Sequence, residues 1–266
     1  MTRAELIFFI RQRKNFLCVG LDSDPAKLPP SVLSADDPVL EFNRQIIEAT
    51  AQHCVAYKVN TAFYEMQGTE GWRRLHDTLD LIPSSHFTIA DAKRGDIGNT
   101  SNAYAQAFFE KMNWDALTVN PYMGFDSVNP FIQVKNKWTV LLALTSNAGS
   151  KDFQMLKTGD EFLWEKVIEK SATWGTNENT MYVIGATHPG DFKKVRKLLP
   201  DHFLLVPGIG AQGGSMKEVC DAAFTSECGL LINASRSILF ASSEGDYAEK
   251  AGEEARKIAA EMSAYF

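Results

Sequence analysis

The stretch FTIADAKRGDIGNTSNAY, residues 87–104, sets an apolar, β-prone run directly before four charges, Asp91, Lys93, Arg94 and Asp96. A run that is apolar without interruption is a strand buried on both faces, as in a parallel sheet covered by helices. Two carboxylates and two cations at the end of such a strand ask for either a salt-bridged rim or an active site. Which of these applies depends on what the other strands carry at their ends.

Seven further runs of the same kind recur, over 16–22, 54–60, 116–120, 138–145, 181–187, 203–210 and 229–235. Between them lie segments with apolar residues at three- and four-residue spacing, near 38–52, 70–82, 101–112, 126–135, 161–174, 190–199, 214–226 and 244–264. The third of these follows the capping candidates Asn99, Thr100 and Ser101. Strand and helix in alternation imply parallel strands joined by right-handed crossovers. Eight units predict a closed (β/α)8 TIM barrel, a single domain over 1–266. A doubly wound open sheet is the alternative. The count of eight disfavours it, and no GxGxxG follows the first run.

Barrel enzymes work at the C-terminal ends of their strands. Residues two apart on a strand share a face, so Asp91 and Lys93 are expected to look into the barrel mouth together. On the same rule Asp22 joins Cys18 and Gly20, and Lys58 joins Ala56 and Asn60. Asp22, Lys58, Asp91 and Lys93 therefore converge from three consecutive strands, with Asp96 just beyond. Alternating acids and ammoniums can all stay ionised, since each charge has an opposite neighbour. A structural ion-pair network is the competing account, and four such groups on adjacent strands weigh against it. Arg94 alternates to the other side and reads as a surface or loop-packing residue.

The last two strands carry different chemistry. VPGIGAQGG (206–214) follows the seventh and INASRSIL (232–239) the eighth. Loops in these places often bind phosphate through backbone N–H groups. Gly208, Gly210, Gly213 and Gly214 permit close backbone approach, Gln212 sits in the same loop, and Arg236 can grip an anion through two N–H donors. The fifth strand ends in Thr145, Ser146 and Asn147, suited to hydrogen-bonding a polar heterocycle. A long connection to about residue 160 follows, the kind of loop that serves as a lid.

Composition narrows the rest. Over 266 residues, 45% are hydrophobic and 23% charged, and the net charge of −6 argues against general nucleic-acid binding. Cys18, Cys54, Cys220 and Cys228 have no zinc-ligand spacing and read as buried reduced thiols. The apolar LIFFI near the N-terminus is too short for a signal peptide and precedes its positive charges rather than following them. No apolar run approaches the roughly 20 residues of a membrane span. These features predict a cytoplasmic protein. The histidines form no metal-like pair, and His188 reads as a capping or loop-packing residue.

The motif Asp91-x-Lys93-x-x-Asp96-Ile97-x-x-Thr100 resembles the DxKxxDIxxT signature of the orotidine 5′-phosphate decarboxylase family. VGLDSDP, YKVNTAFYE, LTSNAGS, PGIGAQGG and NASR extend the resemblance over nearly the whole chain, and DAKRGDIGNTS is similar to its longer bacterial subgroup (type 2). The resemblance implies a cofactor-independent lyase that converts orotidine 5′-monophosphate to UMP and uses no metal. It implies Lys93 as proton donor to C6, Asp91 and a second aspartate beside it, and Lys58 completing the array. Asp22 and Lys58 would contact the ribose, and Ser146 the pyrimidine. Gly210, Gln212 and Arg236 would serve the phosphate. It further implies a homodimer in which Asp96, Ile97 and Thr100 reach into the partner's site.

Three rivals remain at this point. Metal-dependent sugar-phosphate relatives carry an acidic ligand at the end of strand two, where this chain has Lys58. A Schiff-base aldolase wants a neutral lysine, whereas Asp91 and Asp96 favour an ammonium. A non-catalytic nucleotide-binding barrel would lack Lys93 or Asp91, and both are present. The chain also departs from the family, with Ala148 where proline is expected and with Ser237, Ile238 and Leu239 after Arg236.

Overall fold

The structure is a computed structural model that describes residues 1–209 and 213–266. The strands are β1 (Leu17–Gly20), β2 (Ala56–Asn60), β3 (Phe87–Arg94), β4 (Ala116–Val119), β5 (Trp138–Leu144), β6 (Thr180–Ile184), β7 (Phe203–Pro207) and β8 (Leu230–Ala234). Each falls within or closely overlaps one of the eight apolar runs. They hydrogen-bond in chain order and β8 returns to β1, which makes a closed parallel barrel and rules out the open sheet. Several runs outlast their strands. The seventh ends at Pro207 because Gly208 takes φ +96°, a left-handed conformation that cannot continue a strand.

Residue contacts cluster in two compact units, Glu5–Ala92 with Asn233–Phe266, and Met1–Ala4 with Lys93–Ile232. In the first, helix Pro38–Thr50 lays Val39, Phe42, Ile46 and Ile47 inward. Asp37 caps it by accepting from the Leu40 N–H at 3.2 Å, and Pro38 opens its first turn. Burial alone would raise the Asp37 carboxyl, but the Arg74 and Arg73 guanidiniums hold it below the ordinary range. Phe42 stacks on Tyr247 of the C-terminal helix Tyr247–Met262, with ring centroids 5.2 Å apart. LIFFI lies in a helix, Arg3–Arg13, whose Leu6, Ile7, Phe9 and Ile10 are buried.

The third helix starts differently from expectation. It begins at Gly98, with Ile97 at the cap position and no side-chain cap. Asn99, Thr100 and Ser101 lie inside its first turn. Ser101 donates its hydroxyl instead to the carbonyls of Asp96 (2.6 Å) and Ser127 (3.0 Å), which anchors the loop from outside the helix axis. The connection after β5 is also more ordered than a bare loop. It contains the short helix Ser150–Phe153 and an antiparallel ribbon of Lys157–Thr158 with Glu161–Phe162.

In the second unit Arg196 is a hub. Its guanidinium donates to the carbonyls of Leu199, His202, Ala223 and Gly229 at 2.7–3.0 Å. Burial lowers its pKa to about 10, and its hydrogen-bond partners among the described residues are backbone carbonyls, not carboxylates. These carbonyls flank the entries to β7 and β8. Arg196→Met is expected to strip this donor from the Leu199, His202 and Ala223 carbonyls, while Gly229 keeps the Leu204 N–H at 2.9 Å, and to destabilise the protein by about 3 kcal/mol, at about 1–3 kcal/mol for each buried group left unsatisfied. The urea unfolding midpoint checks this.

Candidate active site

Register carries the charged groups to one end of the strands. In the β1–β2 pair Gly20 stands opposite Lys58, and in the β2–β3 pair Lys58 stands opposite Ile89 and Asn60 opposite Asp91. β1 ends at Gly20, so Asp22 lies past the strand and not on its face as the alternation predicts. The ladder still extends one step, through the Leu21 N–H to the Lys58 carbonyl at 2.8 Å. The Lys58 ammonium then lies 2.9 Å from Asp91 Oδ2 and 3.3 Å from Asp22 Oδ1.

Lys58 is only 5% exposed. Burial by itself would lower its pKa. The carboxylates of Asp22 and Asp91 overcome that and hold it well above an ordinary lysine. Two carboxylates about one ammonium leave these three groups with one negative charge in excess. Beside Asp22, Ser23 donates to Asn43 Oδ1 at 2.5 Å, and the Asn43 amide donates to Tyr64 Oη and Thr78 Oγ1 at 2.9 Å each. All four are buried, so the loop carrying Asp22 is tied into the helices behind it. Asn43 was signalled in the sequence only as a polar residue on the apolar face of helix Pro38–Thr50.

The alternation argument does not extend to Lys93. Its φ is +49°, a left-handed conformation costly for a residue with a Cβ, and its side chain is exposed. The Lys93 N–H donates to Thr118 Oγ1 at 2.9 Å, which helps hold that conformation. Arg94 packs its guanidinium over the rings of Tyr104 and Phe108, at 5.4 and 5.3 Å, in the packing role expected of it. Asp96 accepts from the Ile97 N–H at 2.7 Å. Ile97 and Thr100 are exposed on the following loop and helix start.

At the other strand ends, glycines mark close approaches. A Cβ at Gly20 would lie 1.8 Å from Ser235 Oγ, and Ser235 is followed by the exposed Arg236 at the start of a short helix, Arg236–Leu239. Gly213 takes φ +83°, and the Gly214 N–H donates to the Gly208 carbonyl at 3.2 Å. Gly210 and Gln212 lie outside the described residues. Ser146 is backed by Gly185, where a Cβ would meet the Ser146 nitrogen at 2.7 Å. Thr145 and Asn147 are committed to one another at 2.6 Å. His188 packs as expected, its Nε2 3.2 Å from the Thr145 carbonyl. A cavity of about 410 Å3 lined by Asn120, Leu142, Gln154 and Trp164 contains none of the charged groups.

All four cysteines are buried free thiols, and burial pushes Cys54 up to about 12. Among the described residues, no three or more His, Cys, Asp or Glu side chains are grouped to hold a metal ion. No helix among them is long and apolar enough to cross a membrane.

A closed parallel barrel with an ammonium clasped by two carboxylates past its strand ends defines a class, the (β/α)8 barrels with charged sites at their C-terminal rim. The comparisons with known proteins narrow the class. Residues 15–251 match the orotidine 5′-phosphate decarboxylase / HUMPS family, and the chain belongs to that family. It is 54% identical to orotidine 5′-phosphate decarboxylase of Christiangramia forsetii, over 99% of this chain and 98% of the relative. The protein of that name from Phocaeicola vulgatus is 52% identical over 98% of each chain. The structure of Leishmania donovani OMP decarboxylase superposes with a TM-score of 0.81 at 37% identity, covering 97% of this chain and 99% of that one.

The geometry makes a quantitative claim about Lys58. Lys58→Met is expected to cost about 3 kcal/mol, because it leaves two largely buried carboxylates without their cation. Lys58 has a folded pKa above its unfolded value of about 10.4, so its stabilisation is complete below about pH 10 and is lost as pH rises through the folded value. The difference between wild type and Lys58→Met in urea unfolding should therefore be equal at about pH 6 and about pH 9.

Proposed function

We propose that this chain, a cytoplasmic enzyme of pyrimidine nucleotide synthesis, decarboxylates orotidine 5′-monophosphate to UMP, with Lys93 delivering the proton to C6. The observation that carries the reading is the Asp22–Lys58–Asp91 cluster at the strand ends of a chain in this family. The relatives named above bear the name of this activity.

The chemistry suits these groups. Breaking the bond from C6 to the carboxylate releases CO2 and leaves the electron pair on C6, in the ring plane, where the ring carbonyls cannot take it up simply. An ammonium beside C6 stabilises that charge and then gives it a proton. Lys93 supplies the ammonium and is reprotonated from solvent, Asp91 holds it charged and in place, and Asp96 adds a second carboxylate from across the dimer. Lys58 and Asp22 orient the ribose, and Ser146 hydrogen-bonds the pyrimidine. Gly210, Gln212 and Arg236 bind the phosphate, far from the reacting carbon, and that binding energy favours loop closure. The reaction draws on no metal or cofactor. A metal-dependent reading is opposed by Lys58, whose buried ammonium would repel a cation.

The working unit in this reading is a single-domain barrel that pairs into a homodimer. Ile97 after β3 is 60% exposed, and after β4 Tyr122 (81%), Met123 and Phe125 are exposed. Large apolar side chains exposed after both strands favour a covered surface. Asp96, Ile97 and Thr100 would then complete the partner's site.

Loss of orotidine 5′-monophosphate absorbance measures the activity directly. EDTA should leave the rate unchanged, and Lys93→Ala should lower it by more than about a thousandfold. Binding without turnover would instead support a non-catalytic module. Mixing Lys93→Ala with Asp96→Ala subunits tests the shared site. Half the dimers are then hybrids with one intact site of two, so about one quarter of wild-type activity should return.

A further inference from the structure

We infer that Gln154 is a positioning residue for nucleobase recognition, clasping the end of β5 so that Ser146 is presented to the pyrimidine. The inference rests on the proposed reading of Ser146. Nothing in the sequence singled Gln154 out from its loop, and its role comes from what it touches.

β5 ends at Leu144 after a register shift against β6 between Leu142 and Leu144. The Leu144 carbonyl still accepts from the Gly185 N–H at 2.7 Å, but the Thr145 N–H has left the ladder. Gln154 takes its place. Its Oε1 accepts from the Thr145 N–H at 2.8 Å and its Nε2 donates to Thr145 Oγ1 at 2.9 Å. Thr145 Oγ1 gives its own proton to Asn147 Oδ1 at 2.6 Å, and the Thr145 carbonyl lies 3.2 Å from His188 Nε2. Every polar group of Thr145 is thus engaged, two of them by Gln154.

Gln154 is itself fixed. Its carbonyl accepts from the Trp164 N–H at 3.0 Å, at the start of helix Leu163–Ser171, and the next tie, Leu163 N–H to the Leu156 carbonyl, is 2.8 Å. On the far side of Ser146 stands Gly185, with no room for a Cβ. Ser146 is held between this glycine and the clasped Thr145, while its hydroxyl has no hydrogen-bond partner among the described residues. A side chain pinned on both flanks with its donor open is arranged to meet a ligand. The clasp bears on Ser146 and its neighbours, so it is expected to act on recognition and not on the charged chemistry.

Gln154 also lines the 410 Å3 cavity, so truncation would widen an existing void. Gln154→Met keeps the volume and removes both hydrogen bonds. Gln154→Glu keeps the acceptor for the Thr145 N–H. Expected for Gln154→Met is a KM for orotidine 5′-monophosphate raised about tenfold with kcat within about threefold of wild type, as loss of binding that is uniform between ground and transition states predicts. UMP should bind about tenfold more weakly, and ribose 5-phosphate, which has no base, should bind as to wild type. Gln154→Glu should restore most of the UMP affinity. Equal weakening of UMP and ribose 5-phosphate, or no change in either, would overturn the inference. A wild-type protein that binds UMP and does not turn over the substrate would instead sink the proposed function, while the UMP and ribose 5-phosphate comparison would still decide the clasp.

Discussion

A lysine ammonium buried between two carboxylates is the constraint from which the rest of this rim follows. Lys58 cannot remain charged at 5% exposure without Asp22 and Asp91, and neither carboxylate is well placed without it. Each comes from a different strand or strand end, so the cluster exists only if β1, β2 and β3 keep their register. A slip of one residue would turn Lys58 to the opposite face and leave charge stranded in an apolar layer. Folding and site formation are in this sense one event.

The same region shows how rigidity is distributed. The Ser23–Asn43–Tyr64–Thr78 network ties down the loop that bears Asp22 with every member buried and paired. Lys93 is held differently, in a left-handed backbone conformation that a neighbouring threonine hydroxyl helps to maintain. Strain at a non-glycine residue persists only where surrounding structure over-determines it, and it collects at functional positions. At the end of β5 a third device operates, side-chain hydrogen bonds substituting for a ladder that has been broken by a register shift.

Much of this was legible in the chain. Continuous apolar runs alternating with amphipathic segments define buried parallel strands and their covering helices, and eight of them fit a closed barrel. The same period-two logic brought Lys58 and Asp91 to one place correctly. Asp22 also reaches Lys58, although it lies beyond the strand, and at Lys93 a φ of +49° departs from strand geometry. Asn99, Thr100 and Ser101 look like caps by residue type, yet Ser101 is recruited by the Asp96 and Ser127 carbonyls instead. Local propensity cannot anticipate an acceptor that a distant segment supplies.

What the sequence alone determined is the class of fold, the family signature and the types of residue at each strand end, because these depend on pattern and composition over short windows. Tertiary structure alone decided which charges touch, that Gln154 meets Thr145, that Asn43 meets Ser23, and that Gly20 and Gly185 are empty because a neighbouring strand end fills the space. Those facts depend on register and on distances between residues far apart in the chain. The side-chain period of a strand carries no information about the neighbour it will meet.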